Sequence, residues 1–148
     1  MNQSPTEIGC SLYFAYGSNL DPDQMRHRCS DAVAQGTALL PGWSFSIFER
    51  GYATIAEHTS GAVYGGLGKV SEADLRALDR YEGVERDFYR RFRATVMTDT
   101  GTFQAWVYVA DRSADGNPKP GYLERIIAGA EWFGIDADYV AMLSTWGA

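Results

Sequence analysis

The chain has 148 residues, 45% of them hydrophobic, which is enough for one core and one domain. Its formal net charge of −6 opposes a phosphate-binding surface and excludes nucleic acid as the expected partner. No apolar run approaches membrane-spanning length, Met1 to Gly9 lack the basic-then-apolar pattern of a leader, and Cys10 and Cys29 are too few for a disulfide framework. The expectation is a cytoplasmic protein with no membrane association.

Residues 1–10 are expected to be a flexible N-terminus, followed by a single domain over residues 11–148. Leu12 to Tyr16 is short, aromatic and apolar, and reads as a buried strand. Gly17-Ser18-Asn19 breaks it with residues suited to turns. A short helix follows from Pro22 to about Arg28, with Asp21 as N-cap, Pro22 at its first position and Gln24 closing a capping box. A strand that turns directly into a helix N-terminus aims several backbone N–H groups at one point, a cradle for a carboxylate or an oxyanion. His27 and Cys29 are two apart and fall on different helix faces, so no metal site is expected.

Val33 to Leu40 reads as a strand stopped by Pro41-Gly42, and Trp43 to Ile47 alternates as another. Tyr52 to Ala56 and Ala62 to Leu67 are further strands, the second rich in glycine, which signals a bend or a close backbone approach. A helix runs from Ser71, its cap, to Tyr81, with Asp74 completing a cap-like box and Gly83 as the stop. Phe88 to Thr98 and Thr102 to Ala110 form a hairpin across Asp99-Thr100-Gly101. After a polar loop over 111–120, helices follow from Gly121 to Phe133 and from Asp136 onward. Six or seven strands with helices between and after them, and a late hairpin, predict an α+β fold: a small mixed barrel or sheet with surrounding helices.

Glu82 is the most informative single residue. On the helix from Ser71, Leu75 and Leu78 face the core, and Glu82 falls on the same stripe, at the negative end of the helix dipole. Both placements disfavour an ionised carboxylate and raise its pKa, which suits proton shuttling near neutral pH. The alternative is a side chain that fans out to solvent and pairs with Arg86. Ser18 lacks the Gly-x-Ser-x-Gly context and partners of a nucleophile and is read as a loop contact. Arg86, Arg90, Arg91 and Arg93 read as a solvated strand face, with one arginine left open as a carboxylate ligand.

Tyr13-Phe14-Ala15-Tyr16-Gly17-Ser18-Asn19-Leu20 resembles the signature of the γ-glutamylcyclotransferase-like family. Glu82-Gly83-Val84 resembles the segment carrying that family's catalytic acid/base, and Tyr89, Pro120-Gly121-Tyr122 and Tyr139 resemble its recurrent tyrosines. The resemblance implies a small mixed barrel with helices around it. It also implies an enzyme that cyclises a γ-glutamyl amine or amino acid to 5-oxoproline and releases the amine. Glu82 would be catalytic, while Tyr16, Gly17, Ser18, Asn19, Leu20, Tyr89, Tyr122 and Tyr139 would bind substrate. No cofactor or metal is required, because the substrate's own α-amine is the nucleophile. The Glu-Gly-Val context favours the γ-glutamyl-amino-acid branch over γ-glutamyl-lysine, glutathione or antibiotic-precursor substrates, and a non-catalytic γ-glutamyl-binding module is the other alternative. Loops 48–61 and 111–121 would contact the leaving amine. The family includes dimers, so a homodimer is left open.

Overall fold

The computed structural model describes residues 10–111 and 114–147. Five strands, β1 (Cys10–Ala15), β2 (Val33–Ile47), β3 (Ala53–Ser71), β4 (Arg90–Thr98) and β5 (Gly101–Val109), make one mixed sheet. Four helices accompany it: α1 (Pro22–Arg28), α2 (Glu72–Tyr81), α3 (Tyr122–Phe133) and α4 (Ala137–Ser144). The sheet closes into a ring in the order β1-β3-β2-β4-β5. Two seams are narrow. β1 meets β5 in parallel at Tyr13 and Trp106, and β2 meets β4 at Leu39 and Met97. The broad pairings are antiparallel: β1 with β3, β2 with β3, and the β4–β5 hairpin.

The α+β class holds, but six or seven strands is corrected to five. Pro41-Gly42 does not end a strand. It sits at a register shift, with Gly42 at φ +87, and β2 continues through to Ile47. Proline is tolerated at such a bulge because the ladder bond it cannot make is already interrupted there. Gly61 likewise lies inside β3, where a Cβ would stand 2.5 Å from the Trp43 carbonyl oxygen of the facing strand. Two predicted breaks are therefore places where one long hairpin bends, and four expected strands merge into two.

The expected strand over Leu12 to Tyr16 is present, and β1 already includes Cys10. Apart from Cys10, the expectation for residues 1–10 lies outside the described residues, as do residues 112 and 113 of the expected polar loop. β1 is buried along Leu12, Tyr13, Phe14 and Ala15. Leu12, Phe14, Ile55, Val63, Val96 and Val107 are fully buried within the strands, and Ile126 and Leu143 come to the core from α3 and α4. Burial of a side chain of this size contributes about 1.5–3 kcal/mol.

Helix starts follow their caps. Asp21 accepts from the Asp23 N–H, and Pro22 occupies the first turn of α1. Ser71 and Asp74 form a reciprocal capping box on α2. The expected role of Gln24 in a capping box is not what its side chain does. It donates to Ser18 Oγ at 2.7 Å and to Asn19 Oδ1 at 3.0 Å, bracing the turn after β1. β4 starts at Arg90 rather than Phe88, because a 3₁₀ turn over Val84–Arg86 comes first and the Gly83 carbonyl accepts the Phe88 N–H.

Candidate active site

The turn after β1 is a single 3₁₀ turn, Ser18–Leu20. Leu20 N–H donates to Gly17 O and Asp21 N–H to Ser18 O, each at 3.0 Å. The N–H groups of Gly17, Ser18 and Asn19 have no acceptor among the described residues and remain as the cradle. Leu20 was expected in that cradle. Its N–H is committed within the turn and its side chain is fully buried.

Close packing at two glycines sets this turn against its neighbours. A Cβ on Gly129 of α3 would lie 2.4 Å from the Leu20 carbonyl carbon, so glycine lets α3 lie directly on the turn. A Cβ on Gly17 would be 3.4 Å from both the Tyr122 hydroxyl and Ala53 Cβ. Thus α3, whose first residue is Tyr122, delivers a phenol to the cradle, and the start of β3 supplies the opposite wall.

Glu82 caps the C-terminal end of α2. Its N–H donates to Leu78 O at 2.8 Å, and Gly83 follows in the left-handed region at φ +66, where the chain reverses. Glu82 is half-buried, and Leu78 one turn earlier is fully buried, as the shared stripe requires. Burial pushes the Glu82 carboxyl up to about 7, and the Arg28 guanidinium opposes that rise. No ion pair joins Glu82 to Arg86 among the described residues. The Arg86 guanidinium lies 4.7 Å from the centre of the Phe88 ring instead.

Glu82 and the cradle face one another across a continuous depression. An inner recess of about 40 Å³ is lined by Gly17, Ser18, Asn19, Ala53, Glu82 and five tyrosines, Tyr13, Tyr16, Tyr89, Tyr108 and Tyr122. That is room for one small polar group, since a water occupies about 30 Å³. It opens into a cleft of about 580 Å³ that shares Ser18, Glu82, Tyr89 and Tyr122 with it. This volume is in the usual range for small-molecule sites. A second, largely apolar groove of about 280 Å³ shares Tyr13 and Asn19 with the recess, runs past α1, Val33 and Trp132, and has no carboxylate among its described lining residues.

The five phenols are not equivalent. Tyr16 donates to the Tyr108 carbonyl at 2.6 Å, Tyr89 to the Ala53 carbonyl at 2.7 Å, and Tyr108 to Asp79 Oδ1 at 2.7 Å. Their protons are committed, so towards the recess these oxygens offer lone pairs. Tyr13 and Tyr122 are oriented the other way. Tyr13 accepts from Asn19 Nδ2 at 2.9 Å, and Tyr122 accepts from the Ala53 N–H at 3.0 Å, which leaves both hydroxyl protons to give. All five stay protonated near neutrality. Burial drives Tyr13, Tyr16, Tyr89 and Tyr108 well above the ordinary phenol value and Tyr122 to about 12, the last held back by the Ala53 N–H.

Of the residues expected at the site, the structure gathers Tyr16, Gly17, Ser18, Asn19, Glu82, Tyr89 and Tyr122 around one recess. Tyr139 lies elsewhere, its ring 4.7 Å from that of Tyr64, and lines neither recess nor cleft. Several neighbours were not anticipated: Tyr13 and Tyr108 line the recess, and Arg28 and Arg125 line the cleft. Arg50 and Lys119, also in the cleft, come from the two loops expected towards the leaving amine, 48–61 and 111–121. Arg28 donates to Asn19 Oδ1 at 3.1 Å and stacks 4.6 Å over the Tyr81 ring. Among the basic residues after Glu82, Arg86 lines the cleft, whereas Arg91 pairs with Asp79 at 3.5 Å and Arg93 lies over the Trp106 ring. The described residues include no group of His, Cys, Asp and Glu able to hold a metal ion.

This combination of turn, acid and tyrosines coincides with a known family. The model for "Gamma-glutamyl cyclotransferase, AIG2-like" matches residues 13–134. The chain belongs to the γ-glutamyl cyclotransferase, AIG2-like family. Curated relatives named γ-glutamylcyclotransferase include one from Bos taurus, 30% identical over 145 residues, with 90% of this chain and 77% of the relative covered. Another, from Homo sapiens, is 30% identical over 141 residues, covering 86% of this chain and 74% of the relative. A solved structure titled γ-glutamyl cyclotransferase superposes with a TM-score of 0.86 at 27% identity, over 91% of this chain and 86% of its own. The family match spans β1 through α3, and so every residue of the recess.

Proposed function

We propose that the protein is a cofactor-independent γ-glutamylcyclotransferase acting on a small γ-glutamyl amine or amino acid. The observation that carries this reading is a half-buried carboxyl, held near neutrality, sharing one recess with an N–H cradle. The substrate supplies its own nucleophile, so the protein has three tasks: to hold the curled conformer, to carry protons from the attacking nitrogen to the leaving one, and to bear one oxyanion.

The glutamyl unit lies with its γ-carbonyl oxygen towards the cradle of Gly17, Ser18 and Asn19 and the free protons of Tyr122 and Tyr13. Donors fixed in place before the reaction stabilise charge that appears only in the transition state. The α-ammonium lies by Glu82 and by the oxygens of Tyr16 and Tyr89, which present lone pairs. Glu82 takes one ammonium proton, and the freed amine attacks the γ-carbonyl carbon to form the C–N bond of the lactam. The tetrahedral oxyanion then collapses: Glu82 returns its proton to the leaving nitrogen, and the bond to that nitrogen breaks. The regenerated Glu82 carboxylate relays the second proton of the ring nitrogen to the departing amine, which leaves as its ammonium. 5-Oxoproline and the ammonium depart, with Glu82 restored. A carboxyl near 7 is suited to both transfers, since the free α-ammonium titrates near about 8.

The test is release of 5-oxoproline from γ-glutamyl dipeptides, γ-glutamyl-lysine and glutathione. Turnover of at least one γ-glutamyl amino acid is expected. Binding of these compounds with no product from any of them would make the chain a binding module instead.

A further inference from the structure

The outer cleft has a charge pattern that ring closure does not require. Among the described residues its lining includes five cations, Arg28, Arg50, Arg86, Lys119 and Arg125, against one acid, Glu82, in a chain whose net charge is −6. Two of the cations are engaged near the turn. Arg28 donates to Asn19, and Arg125 pairs with Asp21 Oδ2 at 3.2 Å and donates to Gln24 Oε1 at 3.0 Å. The other three have no carboxylate partner among the described residues. An acidic protein that leaves three cations unpaired at the mouth of one cleft sets up a local positive field there.

These three cations sit on a braced wall. Arg50 and Arg86 share the Phe88 ring, at 4.0 and 4.7 Å from its centre. The turn from Phe48 to Tyr52 is joined to the segment before α3. Lys119 N–H donates to Gly51 O at 3.1 Å, Gly116 N–H to Ile47 O at 2.9 Å, and Phe48 bridges Asp115. Gly51, at φ +90, lets the two segments touch, for a Cβ there would be 2.9 Å from Lys119 Cγ. Rings and backbone bonds thus place the charges before any ligand arrives.

We propose that Arg50, Arg86 and Lys119 form a leaving-amine subsite that takes an amine carrying two or more carboxylates, such as an acidic amino acid or a peptide ending in one. The proposal rests on the cyclotransferase reading, in which the glutamyl end fills the recess and the amine projects outward. One carboxylate can occupy one guanidinium fork. A neutral amino acid therefore leaves two of the three cations unanswered, and an acidic one answers more of them.

The test compares γ-glutamyl-glutamate with γ-glutamyl-glutamine, which differ by one charge at nearly equal size. At low ionic strength kcat/KM is expected to favour γ-glutamyl-glutamate by about tenfold, mostly through KM, because exposed contacts are individually weak and bind ground and transition states alike. Raising salt is expected to shrink the ratio towards unity by screening. The triple variant Arg50→Gln, Arg86→Gln, Lys119→Gln is expected to abolish it. Equal kcat/KM for the two dipeptides at low salt, or a ratio that survives the triple variant, would overturn the subsite while leaving the cyclotransferase reading intact. If neither dipeptide yields 5-oxoproline, the wider panel of γ-glutamyl compounds decides the cyclotransferase reading, and calorimetric binding of the same pair decides the subsite. Salt-sensitive preference for γ-glutamyl-glutamate upholds it, and equal or absent binding overturns it.

Discussion

At the scale of single residues, Glu82 sets the balance between stability and chemistry. Its carboxyl titrates near 7 in the fold because burial disfavours the charge. In the unfolded chain it returns to the ordinary value of about 4.3. The folded state therefore holds the proton more tightly, and stability falls as pH rises from about 4.3 through about 7. Above that window the fold carries the whole cost of the buried charge, about 4 kcal/mol at most. Glu82→Gln removes this cost. Urea titrations are expected to find the variant more stable than the parent at pH 8, by up to about 4 kcal/mol, and no more stable at pH 4. Equal stabilities at both pH values would mean that the carboxyl is well solvated. The stripe shared with Leu78 made Glu82 legible from sequence. Tyr13 and Arg28 were not legible, since each meets Glu82 or Asn19 only through the fold: Tyr13 reads as one more core aromatic, and Arg28 as a favourable charge in the last turn of α1.

At the scale of elements, the site depends on α3 and the turn after β1 lying in direct contact. Gly129→Ala puts a methyl 2.4 Å from the Leu20 carbonyl carbon, which is backbone and cannot swing aside. The expected result is a loss of about 1–3 kcal/mol of stability, as for other overpacked sites, and a fall in kcat as Tyr122 is carried away from Gly17. Denaturation and steady-state kinetics on one preparation check both. A neutral Gly129→Ala would show that α3 can shift without cost. Gly83 has the same importance at the other side of the recess. It takes the left-handed conformation that stops α2 just after Glu82, and a Cβ there would be 2.6 Å from the Phe88 ring. Helices were readable because their caps are local. Asp21, Ser71 and Asp136 each hold the helix start that their positions predict. The long strands were less so. Pro41-Gly42 looks like a stop in sequence, yet it is a bend within one hairpin, and only the facing strand distinguishes the two cases; the glycines around Gly61 did signal a bend or close approach, which Gly61 makes against Trp43.

At the scale of the whole molecule, ring closure of the sheet places β1 between β3 and β5, so the turn after β1 opens between the first residues of β3 and the C-cap of α2. Among the described residues no helix is long and apolar enough to cross a membrane. The α+β class and the joining of turn and acid follow from the sequence, whereas the charge of the outer cleft does not. Its cations come from α1, the turn after β2, the segment after α2, the segment entering α3 and α3 itself, most of them distant in the chain. The measurement that bears most directly on the account is the kcat for 5-oxoproline release from a γ-glutamyl amino acid by the parent and by Glu82→Gln, with folding of both confirmed by circular dichroism. The account predicts at least about a hundredfold loss in a well-folded variant, the usual contribution of general acid–base catalysis. A folded Glu82→Gln protein with undiminished turnover would contradict it.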